Sequence, residues 1–266
     1  MTDGPALPLV VDAAWLSEHL GEPDLVVGDV RGPNAHIRGH IPGSRPLVLG
    51  SPPPGADEAM VLELAREVEL RLRRHGITGN ERLVLVDRGD GMGSMPAAQL
   101  AELAGHPRVA TLLGGMAAWT GELATGPVEL EPVRESSLSP NVRAFPTRQE
   151  LASRLDDPSL TILDVRREEE YTGKAGSPCD PRQGHIPGAR RVEVATLFAG
   201  VGMPLPAERI RELVGAPEGA EVVAYCHSGS RSALATLALR SAGYDARNYA
   251  GSWHEWSRHD ELPLER

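Results

Sequence analysis

The sequence predicts an α/β protein made of two tandem copies of one unit, each a mainly parallel sheet flanked by helices. Three observations carry this expectation. Short apolar runs such as 83–86 and 222–225 are followed by turn residues and then a helical pattern, as parallel strands buried on both faces are. The segment DEAMVLELAREVELRLRRHGI (57–77) has helical periodicity, with Met60, Leu64, Val68 and Leu72 on one face. Most distinctive motifs also occur twice.

LVVGDVRGPNAHIRGHIPGS (25–44) matches LTILDVRREEEYTGKAGSPCDPRQGHIPGA (160–189): Asp-Val-Arg ends an apolar run, and Gly-His-Ile-Pro-Gly follows. LVLVDRGDGMGSMPAAQLAELAG (83–105) aligns with VVAYCHSGSRSALATLALRSAG (222–243), and LLGGMAAW (112–119) with NYAGSWHEW (248–256). The offsets are 139 from Asp87 to Cys226, 138 from Gly105 to Gly243 and 137 from Gly114 to Gly251. A register that drifts by two residues over three landmarks marks a duplication. Each copy reads as strand, loop, helix, strand, loop, helix. The second copy's counterpart of the long helix, PAERIRELVGAPEG (206–219), is shorter. The copies are expected over 1–122 and 145–266; residues 123–144, rich in Pro, Glu and Ser and without period, read as a linker along the surface.

The chain has 266 residues, ample for two buried cores, and 27 basic against 37 acidic side chains give a net charge of −10. This argues against nucleic acid or an anionic membrane as the main partner but allows a small anion in a local cationic pocket. MTDGPALPLVVDAAWL at the N-terminus lacks a basic leader region, and no run approaches the ~20 apolar residues of a membrane span. The two cysteines, Cys179 and Cys226, make neither a disulfide framework nor a metal site. A soluble protein of a reducing, cytoplasmic compartment is expected, without metal or organic cofactor.

The chemistry concentrates after the 222–225 strand. A strand ending at Tyr225 delivers Cys226 to the carboxyl edge of a parallel sheet, where α/β proteins place ligands. His227, Ser228, Gly229, Ser230 and Arg231 form a small polar loop; a helix beginning near Ser232 packs Leu234, Leu237, Ala238 and Ala242 and stops at Gly243. Converging loop N–H groups and the helix dipole make an anion cradle with sulfur in it. The dipole supplies at most roughly 2 kcal/mol, so Arg231 and the N–H groups must add the rest of what a thiolate needs. A free cysteine is more often a buried filler, and Cys179 is read as an incidental loop thiol. A polar loop does not follow a filler, so Cys226 is the candidate nucleophile.

Cys226 through Arg231, with Asp164-Val165-Arg166, Gly184-His185-Ile186-Pro187-Gly188 and Gly251-Ser252-Trp253-His254-Glu255-Trp256, resembles the tandem-domain rhodanese sulfurtransferases over nearly the whole chain. The resemblance implies two rhodanese domains, the second catalytic. Cys226 would accept a sulfane sulfur as a persulfide and pass it to cyanide or a thiol, and His227, Ser228, Gly229, Ser230 and Arg231 would bind the donor. At the position of Cys226 the first copy has Asp87, which cannot relay sulfur, so that copy is expected to be silent and to cover one side of the cleft. Asp29 with Arg31 and Asp164 with Arg166 are expected to tie strand ends to loops, and His40 and His185 to bridge backbone groups. Trp119 and Trp256 are expected to pack at helix starts.

Cysteine-dependent phosphatases and arsenate reductases, the rival class, have five residues between cysteine and arginine. Four lie between Cys226 and Arg231, a ring suited to one sulfur atom rather than a phosphoryl group. A non-catalytic rhodanese-like binding module is the third reading, disfavoured by the intact cysteine loop. For the donor, Cys-His-Ser-Gly-Ser-Arg matches neither the thiosulfate pattern Cys-Arg-Lys-Gly nor the 3-mercaptopyruvate pattern Cys-Gly-Ser/Thr-Gly. An Arg-Phe-x-Gly arginine that would hold a keto-acid carboxylate is replaced in Glu170-Tyr171-Thr172-Gly173. Arg182 is the equivalent of a second such arginine or else an ordinary loop residue. Thiosulfate is the expected donor and 3-mercaptopyruvate the alternative.

Overall fold

The computed structural model describes residues 7–50 and 56–266; the first six residues of the N-terminal stretch discussed above lie outside the described residues. The chain divides into two compact units, residues 7–50 with Leu62–Asn141, and residues 56–61 with Val142–Arg266.

The first unit contains strands β1 (Val10–Val11), β2 (Leu25–Asp29), β3 (Arg45–Pro46), β4 (Arg82–Val86) and β5 (Val109–Leu112), in the order β1-β5-β4-β2-β3 with every neighbouring pair parallel. The helix Glu58–Arg74 buries Leu64, Ala65, Val68 and Leu72, whereas Met60, expected on that face, is exposed. Segment 123–141 lies along this unit: the Val133 N–H donates to the Arg73 carbonyl (3.0 Å), Ser137 to Thr78 (2.8 Å) and Asn141 to Leu103 (2.8 Å). Gly105, at φ +92°, permits this; a Cβ there would stand 1.9 Å from the Ser139 carbonyl oxygen.

The second unit contains β6 (Leu160–Asp164), β7 (Arg190–Arg191), a small antiparallel hairpin of β8 (Phe198–Gly200) and β9 (Met203–Pro204), then β10 (Glu221–Tyr225) and β11 (Asp245–Asn248). Its main sheet runs β11-β10-β6-β7, all parallel. Successive β10 side chains enter opposite cores. Val222 and Ala224 pack with Leu163, Val165, Ala235 and Leu239; Val223 and Tyr225 pack with Ile162, Trp253 and Trp256. Burial of both faces explains why β10 reads as a continuous apolar run. Register pairs Tyr225 with Asp164, so Cys226 and Val165 follow side by side at the carboxyl edge.

The helix after the cysteine spans Ser230–Ser241, two residues earlier than its expected start, and ends before Gly243 at φ +88°. Leu237, Ala238 and Ala242 are buried and Leu234 half-buried. Trp119 and Trp256 sit at helix ends, not starts: Trp119 follows Gly115–Ala118, and the fully buried Trp256 closes Ser252–Trp256.

Both copies build the same brace beside the sheet edge. Arg31 donates to Asp29 (2.6 Å) and to the Gly39 carbonyl (2.6 Å); Arg166 donates to Asp164 (2.6 Å) and to the Gly184 carbonyl (2.7 Å). Each arginine thus ties its strand end to the carbonyl just before a His-Ile-Pro-Gly turn. His40 and His185 exchange backbone bonds with Ala124 and Glu265, and their Nδ1 atoms meet the His36 and Tyr171 carbonyls at 2.9 Å. Arg166 is fully buried, its guanidinium 4.9 Å from the Trp253 ring.

Candidate active site

Cys226 leaves β10 with its own N–H donating to Ser252 Oγ at 3.1 Å. Ser252 holds φ +55°, the one positive value at a non-glycine residue among the described residues, and its hydroxyl donates to the Tyr249 carbonyl at 2.9 Å. Strain of this kind persists where surrounding bonds fix it; here it anchors the first atom of the loop. The Trp253 and His254 N–H groups donate to the Cys226 and His227 carbonyls at 3.0 and 2.9 Å.

The loop then folds back on the sulfur. The Gly229 N–H donates to Cys226 Sγ at 3.1 Å, the Ser232 hydroxyl points at it from 3.4 Å and that of Ser252 from 3.9 Å. Gly229 adopts φ +91°, and a Cβ there would lie 2.7 Å from the Ala250 carbonyl oxygen, so only glycine fits. Asn248 fixes the Gly229 carbonyl by donating to it at 3.1 Å. First-turn amides of the following helix lack intrahelical acceptors. Cys226 is 1% exposed and joins the core cluster, more buried than a loop nucleophile suggests. A filler thiol, however, does not accept an N–H bond from its own loop with two serine hydroxyls beside its sulfur.

Arg231 is held by Glu170 through two parallel 2.9 Å bonds. Glu170 raises the arginine's pKa, and the field of Cys226 adds to this. Burial alone would raise the Glu170 carboxyl, but donation from Arg231 overrides it and holds Glu170 below the usual range. The loop's cation therefore comes with its own counter-ion. Glu170 is the residue that stands where a keto-acid-binding arginine was sought.

Arg182 is not brought to the loop. Its guanidinium donates to the carbonyls of Ser257 (2.9 Å), Leu262 (2.8 Å), Trp256 (2.9 Å) and His259. It splints the C-terminal segment, and none of these bonds goes to the cysteine loop where a substrate ligand was expected. His227 and Cys179 also differ from expectation. The His227 ring turns to Asp180, with Nε2 3.1 Å from Oδ2, and Cys179 Sγ lies 3.6 Å from His254 Nδ1 and 4.0 Å from His227 Nε2. Ser232, Ser252 and Asn248 escaped the sequence reading. The repeated helix-start serine, Ser94 and Ser232, was the available signal for one of them.

In the first copy the cradle is filled by its own side chain. Asp87 accepts from the N–H groups of Gly89 (2.9 Å), Gly93 (3.1 Å) and Ser94 (3.0 Å) and from the Ser94 hydroxyl (3.0 Å). Ser94 takes the place of Ser232, and the loop to it is one residue longer: seven positions from Asp87, six from Cys226. A buried carboxylate satisfied by four donors thus stands where the second copy has its thiol.

A parallel α/β unit with a cysteine in an amide-lined loop at its carboxyl edge, built twice with one copy self-filled, defines a class of sulfur-handling enzyme. The chain belongs to the rhodanese-like family and is a sulfurtransferase: the rhodanese-like domain matches residues 12–122 and again 147–259. It is 32% identical over the full length of both chains to the thiosulfate sulfurtransferase of Azotobacter vinelandii. It is 31% identical, over 96% of this chain and 97% of the other, to a "Probable 3-mercaptopyruvate sulfurtransferase" of Pseudomonas aeruginosa. A crystal structure described as a probable thiosulfate sulfurtransferase superposes with a TM-score of 0.71 at 34% identity, covering 92% of this chain and 98% of that one.

Proposed function

We propose that the chain moves the sulfane sulfur of thiosulfate to a thiophilic acceptor, cyanide or a thiol, through a persulfide on Cys226. The Cys226 thiolate attacks the outer sulfur; the S–S bond of thiosulfate breaks, and its electron pair leaves with sulfite. The Cys226 persulfide carries its negative charge on the terminal sulfur, bonded to the Sγ that the Gly229 N–H and the Ser232 hydroxyl contact and in the positive field of the following helix's N-terminus. The acceptor then attacks that sulfur and regenerates the thiolate. His227 and Ser228 line the loop's rim, and the work is cytoplasmic, where the two free cysteines stay reduced. No helix among the described residues is long and apolar enough to cross a membrane.

The observation that carries this reading is the sulfur's position, 3.1 Å from the Gly229 N–H inside a ring of four residues between cysteine and arginine. Thiosulfate is preferred to 3-mercaptopyruvate because Arg182 is engaged by carbonyls and Glu170 replaces a second carboxylate-binding cation. Purified protein given thiosulfate and cyanide should release sulfite with double-displacement kinetics, and Cys226→Ser should abolish this. A kcat/KM higher for 3-mercaptopyruvate by about tenfold, or ~1.4 kcal/mol in transition-state binding, would reverse the donor. Hydrolysis of an aryl phosphate that depends on Cys226 would reverse the reaction class.

A further inference from the structure

The geometry points to a binding site for a tetrahedral d-block cation of the Zn(II) type, formed by Cys179, Asp180, His227 and His254 in the second unit. One donor atom from each of these residues falls in a group whose members all lie within 4.8 Å of one another. Cys179 Sγ is 3.6 Å from His254 Nδ1, 4.0 Å from His227 Nε2 and 3.7 Å from Asp180 Oδ1. Asp180 Oδ1 is 2.9 Å from His254 Nδ1, and Oδ2 is 3.1 Å from His227 Nε2. A tetrahedral zinc with bonds of about 2.3 Å to sulfur and about 2.05 Å to nitrogen has S···N edges near ~3.55 Å and N···N or N···O edges near ~3.35 Å. The separations to sulfur, 3.6 to 4.0 Å, exceed that edge and the nitrogen–oxygen ones, 2.9 and 3.1 Å, fall short of theirs, each by less than about 0.5 Å, a mismatch that side-chain rotation on ligation would close.

The electron pairs ask for a cation. The Asp180 side chain is 1% exposed, yet its Oδ2 has no aligned hydrogen-bond donor despite the imidazole nitrogen 3.1 Å away. His254 Nδ1 is 2.9 Å from a carboxylate oxygen, which would need a proton on it. It is also 2.9 Å from Arg258 Nη1, which needs a lone pair. One ring nitrogen cannot serve both, whereas a metal ion accepts the lone pairs of nitrogen and oxygen together. The Arg258 guanidinium, 3.3 Å from Asp180 Oδ1, is then the cation that ligation displaces. A thiolate, two neutral imidazoles and a carboxylate are the donor set that zinc and cobalt(II) favour. Cys179 and His254 reach solvent, which leaves an entry path.

Such an ion would join the 179–180 segment, the last helix and the residue next to Cys226. It would hold His227 away from any donor.

The test is a cobalt(II) titration of the full, metal-stripped chain under anaerobic conditions, followed by absorbance. One equivalent should bind with a thiolate-to-cobalt charge-transfer band and the intense ligand-field bands of a tetrahedral ion, and zinc should displace it. Cys179→Ser should abolish the charge-transfer band, and His254→Gln should weaken binding at least about tenfold. Cys226→Ser should retain the full spectrum. The exposed Cys179 tolerates serine without threat to the core, and circular dichroism of each variant verifies the fold. No charge-transfer band, a weak octahedral spectrum, or a band that depends on Cys226 and not on Cys179 would overturn the assignment.

Discussion

Glu170→Gln is the change that speaks most clearly about the loop's electrostatics. In the wild type the carboxylate holds Arg231 by two 2.9 Å bonds, with side chains 19% and 28% exposed. At an effective dielectric of about 20, charges ~4 Å apart interact by about 4 kcal/mol. Partial exposure screens most of that, and ~1.4 kcal/mol is the share that a competing anion in the loop should recover when the carboxylate is removed. Glutamine keeps the shape and one acceptor, so Arg231 stays in place with its charge uncompensated. KM for thiosulfate should fall about tenfold, and it should rise with added salt more steeply than in the wild type. Steady-state sulfite release at several ionic strengths measures both. A KM that is unchanged or raised would refute the view that Arg231 faces the donor and that Glu170 tempers it.

Three further perturbations test other parts of the account. Gly229→Ala forces a side chain into φ +91° against the Ala250 carbonyl; left-handed backbone alone costs ~1–2 kcal/mol, and kcat/KM should drop at least about tenfold as the N–H swings off the sulfur. Asp87→Ala orphans four donors of the first copy at ~1–3 kcal/mol for each that stays unsatisfied. Denaturant melts should show a loss of about 3 kcal/mol, while sulfur transfer by the folded protein is unchanged; lost transfer in a folded variant would give Asp87 a catalytic role. Burial pulls the His106 pKa down to about 4 from its ordinary 6.5. Between those values the unfolded chain binds a proton that the fold refuses, so stability rises with pH there and falls on acidification. The loss from pH 7 to 4 is roughly 3 kcal/mol. His106→Asn, which keeps an acceptor for the Arg108 N–H, should flatten that dependence in melts at several pH values.

The fold was readable because both strand and turn motifs occur twice in constant register, and because strands buried on two faces must be apolar throughout. The cysteine loop was readable because its spacing is local. What escaped depends on long-range meetings that no spacing encodes. Arg231 finds Glu170 from 61 residues away, and Arg182 finds carbonyls 74 to 80 residues downstream. The aspartate at residue 87 marked where the two copies differ, but not that its carboxylate would accept four hydrogen bonds from its own loop. That depends on how the loop folds back, which brings Ser94 to the carboxylate as it brings Ser232 to the sulfur. Cys179 looked incidental for the same reason: its neighbours His227 and His254 are distant in sequence.

Mass spectrometry of the protein after brief exposure to thiosulfate, with the peptides containing Cys226 and Cys179 resolved separately, addresses the core of the account. One added sulfur atom on Cys226, removed by cyanide and absent from Cys226→Ser, is the predicted result. Sulfur carried on Cys179, or on neither thiol while sulfite is still released, would contradict it.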